Sequence, residues 1–381
     1  MPRSSESKKG PRPAFDLNGM QVKAGERLDT HIEAGKDPLG RALRIPCHVL
    51  HGNGEGPTLA ITAAIHGDEL NGVSILHHLI HGDDHVPDTP DDPLSPMKLN
   101  GTLILIPIAN PEAVLLGTRQ APDGRDLNRQ FPGNPRGNQS QRLAHTLFTT
   151  LVGRADYLVD LHTAPGTREN LPHVRADLDD DVCKEMARAF GTNIVLHSKG
   201  VGGTMRKEAT RAGCSAILLE TGSSNAFQYS NVRQGVEGLL NLMRHLEMIE
   251  GEVVQPDYRV LVRTSRWIRA PSGGLLHEFI NVGELIREGE LLAHITDPFG
   301  GKVEDILSPV TGLVVSVATS PLVRAGDPLV HIVVIQRTLE LVERALGEST
   351  SEDCTEETVE DAAGEQLDDM VFNSSEKAAG N

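Results

Sequence analysis

The chain reads as an α/β protein: a mixed, mostly parallel sheet flanked by helices, with a small all-β unit at its C-terminal end. Three observations carry this reading. From about residue 40 to residue 250, short apolar runs closed by turn residues alternate with stretches of helical period, the pattern of a sheet covered on both faces. After residue 255 the helical period stops and Gly-punctuated apolar runs take over, as in a small β unit. That unit repeats itself: LIREGELLAHI at 285–295 aligns without gaps with LVRAGDPLVHI at 322–332, and upstream Pro271 and Gly274 correspond to Pro309 and Gly312.

In chain order, residues 1–15 are basic, carry no apolar stretch and are expected to be a disordered tail. Residues 16–254 form the α/β unit. Its strands are expected at 43–50, 58–64, 102–107, 156–161, 193–197 and 216–219, each short, apolar and followed by a turn or helix signal. Its helices show one apolar stripe each: Leu70, Val73, Leu76 and Ile80, then Leu143, Leu147 and Leu151, then Val232, Val236, Leu239, Leu240 and Met243. Between the first helix and the third strand, the Pro- and Asp-rich stretch from His81 to Gly101 reads as an excursion over the surface. Residues 255–338 make the β unit, whose repeat implies two related hairpin halves. The arrangement resembles the barrel-sandwich fold of biotinyl and lipoyl domains, with TDPFGGKVEDILSPVTG in the place of the carrier hairpin. Carriers of that kind place a lysine directly after an acidic residue. Here Asp297 is followed by Pro298 and Lys302 lies four residues beyond it, so a swinging-arm role is not expected. Residues 339–381 should form a short helix and then an acidic disordered tail.

The 381 residues include 36 Lys+Arg and 53 Asp+Glu, for a net charge of −17. Residues 347–381 hold eleven acidic residues against one lysine, so the tail accounts for most of that charge and is too polar to order itself by burial. An acidic chain without a basic stripe excludes nucleic acid as the expected partner. No secretory leader is apparent and no apolar run reaches the ~18–20 residues of a membrane span, so a cytoplasmic protein without a membrane partner is expected. Cys47, Cys183, Cys214 and Cys354 are widely spaced, which argues against a disulfide framework and against a cysteine zinc knuckle. The length suggests two or three domains and leaves a homo-oligomer open.

The candidate chemistry begins in TLAITAAIHGDELNG, where a strand, a Gly turn and a helix opening bring His66 and Glu69 to one turn. Three residues apart, they face one way. An imidazole and a carboxylate are good zinc ligands, and a catalytic zinc site takes three protein ligands and keeps one position open. DYLVDLHTA supplies a plausible third in His162, at the carboxyl end of an apolar strand. Each signal alone is weak, because H-x-x-E arises by chance and a strand-end histidine is commonly a hydrogen-bonded structural residue. Their shared position just past strand ends is where open α/β sheets bind ligands. SAILLETG ends a buried strand on Glu220, either an ion-pairing or capping residue or a general base and acid. GTRQAPDGRDLNRQFPG offers Asn128 and Arg129 as a planar donor array for a carboxylate, with Arg119 and Arg125 as further candidates to face an oxyanion. The histidines at 77, 78, 81 and 85 lie at a helix end and in the polar loop and are read as solvated. Cys183 and Cys214 are read as packing residues.

His66-Gly67-Asp68-Glu69, Asp126-Leu127-Asn128-Arg129 with Phe131-Pro132-Gly133, Asp160-Leu161-His162-Thr163 and Glu220-Thr221-Gly222 occur in the order seen in the succinylglutamate desuccinylase and aspartoacylase family, which belongs with the zinc carboxypeptidases. The resemblance spans roughly residues 40–335. It implies a zinc-carboxypeptidase-like fold and one Zn2+ per chain on His66, Glu69 and His162, with Glu220 as proton shuttle. It further implies that Asn128 and Arg129 hold the substrate carboxylate and that Arg119 polarises the scissile carbonyl, with Arg125 as its rival. The implied activity is hydrolysis of the acyl amide of a small N-acyl amino acid, a linear amide other than a peptide bond. The family's C-terminal β unit narrows the active-site mouth, and the same is expected here. The alternatives are a zinc carboxypeptidase acting on peptides and a ligand-binding relative without turnover.

Overall fold

Four strands at the centre of the sheet run parallel and are buried on both faces, which is why their sequences are nearly continuous apolar runs. The computed structural model of the chain describes residues 12–82, 94–335 and 355–359. The hairpin β1 (Phe15–Leu17) and β2 (Met20–Val22) precedes β3 (Glu26–Lys36), β4 (Ala42–His51), β5 (Gly54–Ala63), α1 (Asn71–His81), β6 (Asn100–Ile106), α2 (Pro111–Leu116) and α3 (Gln139–Leu151). There follow β7 (Tyr157–His162), β8 (Arg168–Ala176), α4 (Asp181–Phe190), β9 (Ile194–His197), α5 (Met205–Arg211), β10 (Ser215–Ser223) and α6 (Tyr229–His245). The parallel centre has the order β6-β5-β7-β10; β4 and β3 extend it antiparallel on one side, and β8 pairs antiparallel with β10 on the other.

Strand alternation divides the core into two layers. Leu59, Ile61 and Ala63 of β5 pack with α1, α4 and α6, whereas Ala60 joins the layer under α3 and α5. Helices therefore cover both faces, as the sequence predicts. Three free cysteines, Cys47, Cys183 and Cys214, are buried, and desolvation pushes their thiols up to about 12, 11 and 12, consistent with inert packing residues. Among the described residues no helix is long and apolar enough to cross a membrane.

Several elements escape the sequence reading. β3 and β8 are polar on one side, because β3 is an edge strand and β8 faces a cavity, so neither shows an apolar run. β10 continues through Ser223, which places Glu220 inside a strand rather than at its end. Residues 12–15 are not part of a free tail: Arg12 donates to the Gly52 and Gly101 carbonyls, His51 Nε2 lies 2.9 Å from the Pro13 carbonyl oxygen, and Phe15 opens β1. The rest of the expected N-terminal tail, the bulk of the surface excursion with His85, and the expected short helix lie outside the described residues.

The C-terminal strands are β11 (Tyr258–Val262), β12 (Ser265–Arg269), β13 (Gly274–Glu278), β14 (Leu285–Ile286), β15 (Leu291–Thr296), β16 (Lys302–Leu307), β17 (Gly312–Ala318), β18 (Leu322–Val323), β19 (Pro328–Val334) and β20 (Thr355–Val359). The repeat appears as two equal pieces, β14-turn-β15 and β18-turn-β19, with Gly289 and Gly326 at matching turn positions and φ of 84° and 88°. They interlock, since β14 pairs with β17 of the second half and β18 with β13 of the first. This unit also continues the main sheet: β17 pairs with β8, and β11 with β9. Within the stretch expected to be a disordered acidic tail, β20 instead pairs parallel with β11, an edge whose ladder groups would otherwise face water.

Candidate active site

The site is assembled by three parallel strand ends. The loop after β5 carries His66 and Glu69, and it packs so closely on α2 that a Cβ on Gly67 would stand 1.9 Å from the Ala113 carbonyl carbon. Only glycine fits there. β7 ends on His162, and the parallel register sets Glu220 of β10 directly beside it. Alternation then places Asp160, His162, Leu218 and Glu220 on one face, above α3 and α5.

Glu69 lies at the centre. Its Oε1 is 2.7 Å from His66 Nδ1, and its Oε2 is 2.8 Å from His162 Nδ1 and accepts the Thr163 amide at 3.2 Å. One ligand atom each from His66, Glu69 and His162 lies within 4.8 Å of the others, and all three residues are buried. Two imidazoles and a carboxylate converging this closely match the three-ligand set of a catalytic zinc site. Each imidazole is held from behind, His66 Nε2 by Asp126 at 3.0 Å and His162 Nε2 by Asp160 at 2.8 Å. Carboxylates at that place fix the ring orientation of metal-binding histidines. Asp160 is itself held by the Thr62 hydroxyl at 2.7 Å. Burial opposes the charge of Glu69, yet the two histidines draw its carboxyl far below the usual range. Burial likewise opposes Asp126, and His66 and Arg119 overcome it.

Glu220 is shifted the opposite way from Glu69 and Asp126. Burial pushes its carboxyl above the ordinary value, and the opposing pull of Arg175 and His162 does not cancel this. Its Oε2 accepts from Asn170 Nδ2 at 3.1 Å, and Arg175 Nε lies 3.8 Å from Oε1. A carboxylate raised in this way accepts a proton more readily than a free one.

Of the expected site residues, His66, Glu69, Arg119, Asn128, Arg129, His162 and Glu220 all line one cavity of about 670 Å3. Arg119 reaches Glu69 Oε1 at 3.1 Å and Asp126 Oδ2 at 2.9 Å. Asn128 turns its amide nitrogen to His162 Nε2 at 3.4 Å while its oxygen accepts the Met205 amide, and Arg129 donates to the Asn128 carbonyl. Arg125 is not brought in: it is exposed and bonds back to the Asp123 carbonyl at 3.2 Å, in a turn that points its side chain away from the cavity. The helix-end histidines form no three-ligand group among the described residues; His78 Nδ1 lies 2.7 Å from the Ser74 carbonyl oxygen instead. A second group, Asp177, Asp179 and His197, is at the surface, where Asp179 is taken up by Lys199 and Arg263.

Sequence reasoning assigned no role to Asp126, Asp160, Asn170, Arg168, Arg175 or Trp267. Asp126 and Asp160 stood inside the motifs, and strand alternation alone would set Asp160 beside His162. The others come from β8 and from β12 of the C-terminal unit, which also supplies Arg269, Arg324 and Pro328 to the cavity wall.

Residues 55–246 match the succinylglutamate desuccinylase/aspartoacylase catalytic domain. The chain is 28% identical over 268 residues to an N-alpha-acetyl-L-2,4-diaminobutyric acid deacetylase of Halomonas elongata, covering 67% of this chain and 75% of that protein. The fold is similar to that of a succinylglutamate desuccinylase/aspartoacylase from Rhodobacter sphaeroides, with TM-score 0.73, 28% identity, and 84% of this chain and 98% of that one covered. It is also similar to the product-bound ectoine utilization protein EutE (DoeB) of Ruegeria pomeroyi, with TM-score 0.73, 25% identity, and 85% and 99% covered.

Proposed function

We propose a zinc-dependent deacylase function from an established premise: the chain belongs to the succinylglutamate desuccinylase/aspartoacylase family. Its substrate is a small N-acyl amino acid, whose acyl amide is hydrolysed to a carboxylate and a free amine. The convergence of His66, Glu69 and His162 within 4.8 Å, with Glu220 beside them on the neighbouring strand, is the observation that carries this reading.

His66, Glu69 and His162 would hold the zinc ion, and Asp126 and Asp160 would fix the two rings. Bound there, zinc supplies Lewis acidity, lowering the pKa of a water and polarising the scissile carbonyl. Glu220 takes a proton from the attacking water, its raised pKa making it an acceptor that is also able to give the proton back. As the carbonyl carbon becomes tetrahedral, the Arg119 guanidinium stands close enough to the metal-binding residues to face the developing oxyanion. Collapse requires a protonated leaving nitrogen, and Glu220 delivers the proton. Arg129 and the amide nitrogen of Asn128 receive the substrate's α-carboxylate. Walls from the C-terminal unit, among them Trp267 and Pro328, restrict the cavity to small substrates rather than long peptides. The protein serves in the cytoplasm.

The test pairs metal content with turnover. Purified chain should carry about one zinc and hydrolyse acetylated or succinylated amino acids in preference to dipeptides. A metal-loaded protein that cleaves dipeptides best would replace the deacylase with a carboxypeptidase, and one that cleaves neither would leave a binding protein.

A further inference from the structure

Among the described residues, four that are not glycine have a left-handed backbone: Asn18, Ala64, Asn225 and Glu247. The other three are exposed, whereas Ala64, at φ 49°, is wholly buried. It follows the last residue of β5 and stands two residues before His66. Asparagine tolerates this conformation because its side chain can bond locally. Alanine has no such compensation, and its Cβ crowds the following carbonyl oxygen, so Ala64 is strained. The left-handed residue breaks the alternation of β5. Ala63 and Ala64 both join the core layer under α1, α4 and α6, and Ile65 joins the opposite layer. An extended Ala64 would instead reverse the facing of Ile65 and of the chain that carries His66 and Glu69.

The strained turn is held from the end of β6, the parallel neighbour of β5. Ala109 N–H donates to the Ala63 carbonyl at 2.9 Å and Asn110 N–H to the Ala64 carbonyl at 3.0 Å. Asn110 Nδ2 donates to the Ile65 carbonyl at 3.2 Å, while its Oδ1 accepts the Ala113 amide at 3.4 Å and so caps α2. The Asn110 side chain is wholly buried, so water does not compete for these bonds. Beyond α2 the two loops are fastened again, Gly67 N–H to the Thr118 carbonyl at 3.0 Å, one residue before Arg119. One carboxamide thus joins the turn that delivers two metal-binding residues to the segment that delivers the arginine facing them.

We propose that Asn110 is a positioning residue of the metal site: it keeps Ala64 left-handed, and that turn brings His66 and Glu69 to His162. The inference rests on the zinc-site reading and extends it to a residue that lines no part of the cavity.

The test measures zinc affinity, by competition with a chromophoric chelator, for the parent, Asn110→Ser, Ala64→Gly and the double variant. Serine keeps an acceptor to cap α2 but loses the donor to the Ile65 carbonyl. Asn110→Ser should weaken zinc binding by about 10- to 100-fold, the range for residues that orient metal ligands. Ala64→Gly should bind as the parent does. The double variant should recover to within about threefold of the parent, because glycine adopts the left-handed conformation without strain. Unchanged affinity in a folded Asn110→Ser overturns the proposal. So does a loss that Ala64→Gly leaves unrepaired, since general loosening of the fold gives that pattern. If Asn110→Ser does not fold, Asn110→Asp, equal in size and also able to cap, takes its place in the same comparison. A parent that takes up no zinc sinks the zinc-site reading, and crystal structures of the four proteins then decide the positioning role by themselves. Ala64 leaving the left-handed region in Asn110→Ser sustains that role, and Ala64 staying there overturns it.

Discussion

Replacing Asn170 with Ala tests whether Glu220 is the proton-transfer group and whether β8 tunes it. Asn170 Nδ2 donates to Glu220 Oε2 at 3.1 Å, and the Glu220 side chain is 16% exposed, so water replaces that bond poorly. A hydrogen bond to a charged acceptor is worth about 1.5–3 kcal/mol, and it favours the carboxylate over the neutral acid. Burial already holds the Glu220 carboxyl above its ordinary value, and losing the donor drives it further in the same direction. Each pH unit corresponds to about 1.4 kcal/mol, so the variant's acid limb should move up by about one to two pH units. The sign is fixed by the role: the group must be ionised to accept a proton from water, so activity falls as pH drops through its pKa. The assay is kcat/KM against pH for an acetylated amino acid, at constant ionic strength and with metal content checked. The plateau above the limb should survive within several-fold, because Glu220 itself remains. An acid limb that stays where it is in a folded, metal-loaded Asn170→Ala protein would refute the reasoning.

The other predictions concern the metal, the core and the joint between units. Glu220→Gln should keep about one zinc per chain and lose about 100- to 10,000-fold in turnover, whereas His66→Ala should lose the metal as well; elemental analysis beside kinetics separates them. Gly238→Ala should destabilise despite the helix-propensity gain of about 1 kcal/mol, because the new Cβ would meet the Phe190 ring at 2.1 Å and overpacking costs about 1–3 kcal/mol. A denaturant midpoint above that of the parent would contradict it. His173 is buried, and desolvation with Arg175 nearby lowers its pKa to about 3. Its neutral form therefore contributes stability that is complete above pH ~6.5 and fades as pH falls toward 3, a loss of about 2 kcal/mol between pH 7 and 5. Urea unfolding should show a shallower pH slope in His173→Gln. Deleting residues 255–381 uncovers the β8 and β9 edges that β17 and β11 pair with, and should yield aggregated protein rather than an enzyme with a wider mouth; solubility and size-exclusion profiles decide.

What local pattern can encode was legible before any coordinates. The parallel strands announce themselves because burial on both faces demands unbroken apolar runs, and the helices because burial on one face demands a stripe. His66, Glu69, His162 and Glu220 were readable because each stands at or near a strand end, where such sheets bind ligands. The internal repeat foretold two matching strand-turn-strand pieces for the same reason: identical side-chain spacing asks for identical backbone.

Tertiary structure alone decided what depends on register and on contacts between distant segments. β8 carries Arg168, Asn170 and Arg175 into the cavity, and its polarity there is what concealed it as a strand. Arg119 and Arg125 are indistinguishable by residue type, and only the course of their loop turns one toward Glu69 and the other back on Asp123. The Trp267–His331 stack needs β12 and β19 paired in one register and β17 paired against β8, two pairings between segments that share no local signal. Short-range periodicity reports which faces are buried; which residues then meet across those faces is set by strand pairing between segments far apart in the chain, and no short window of sequence contains it.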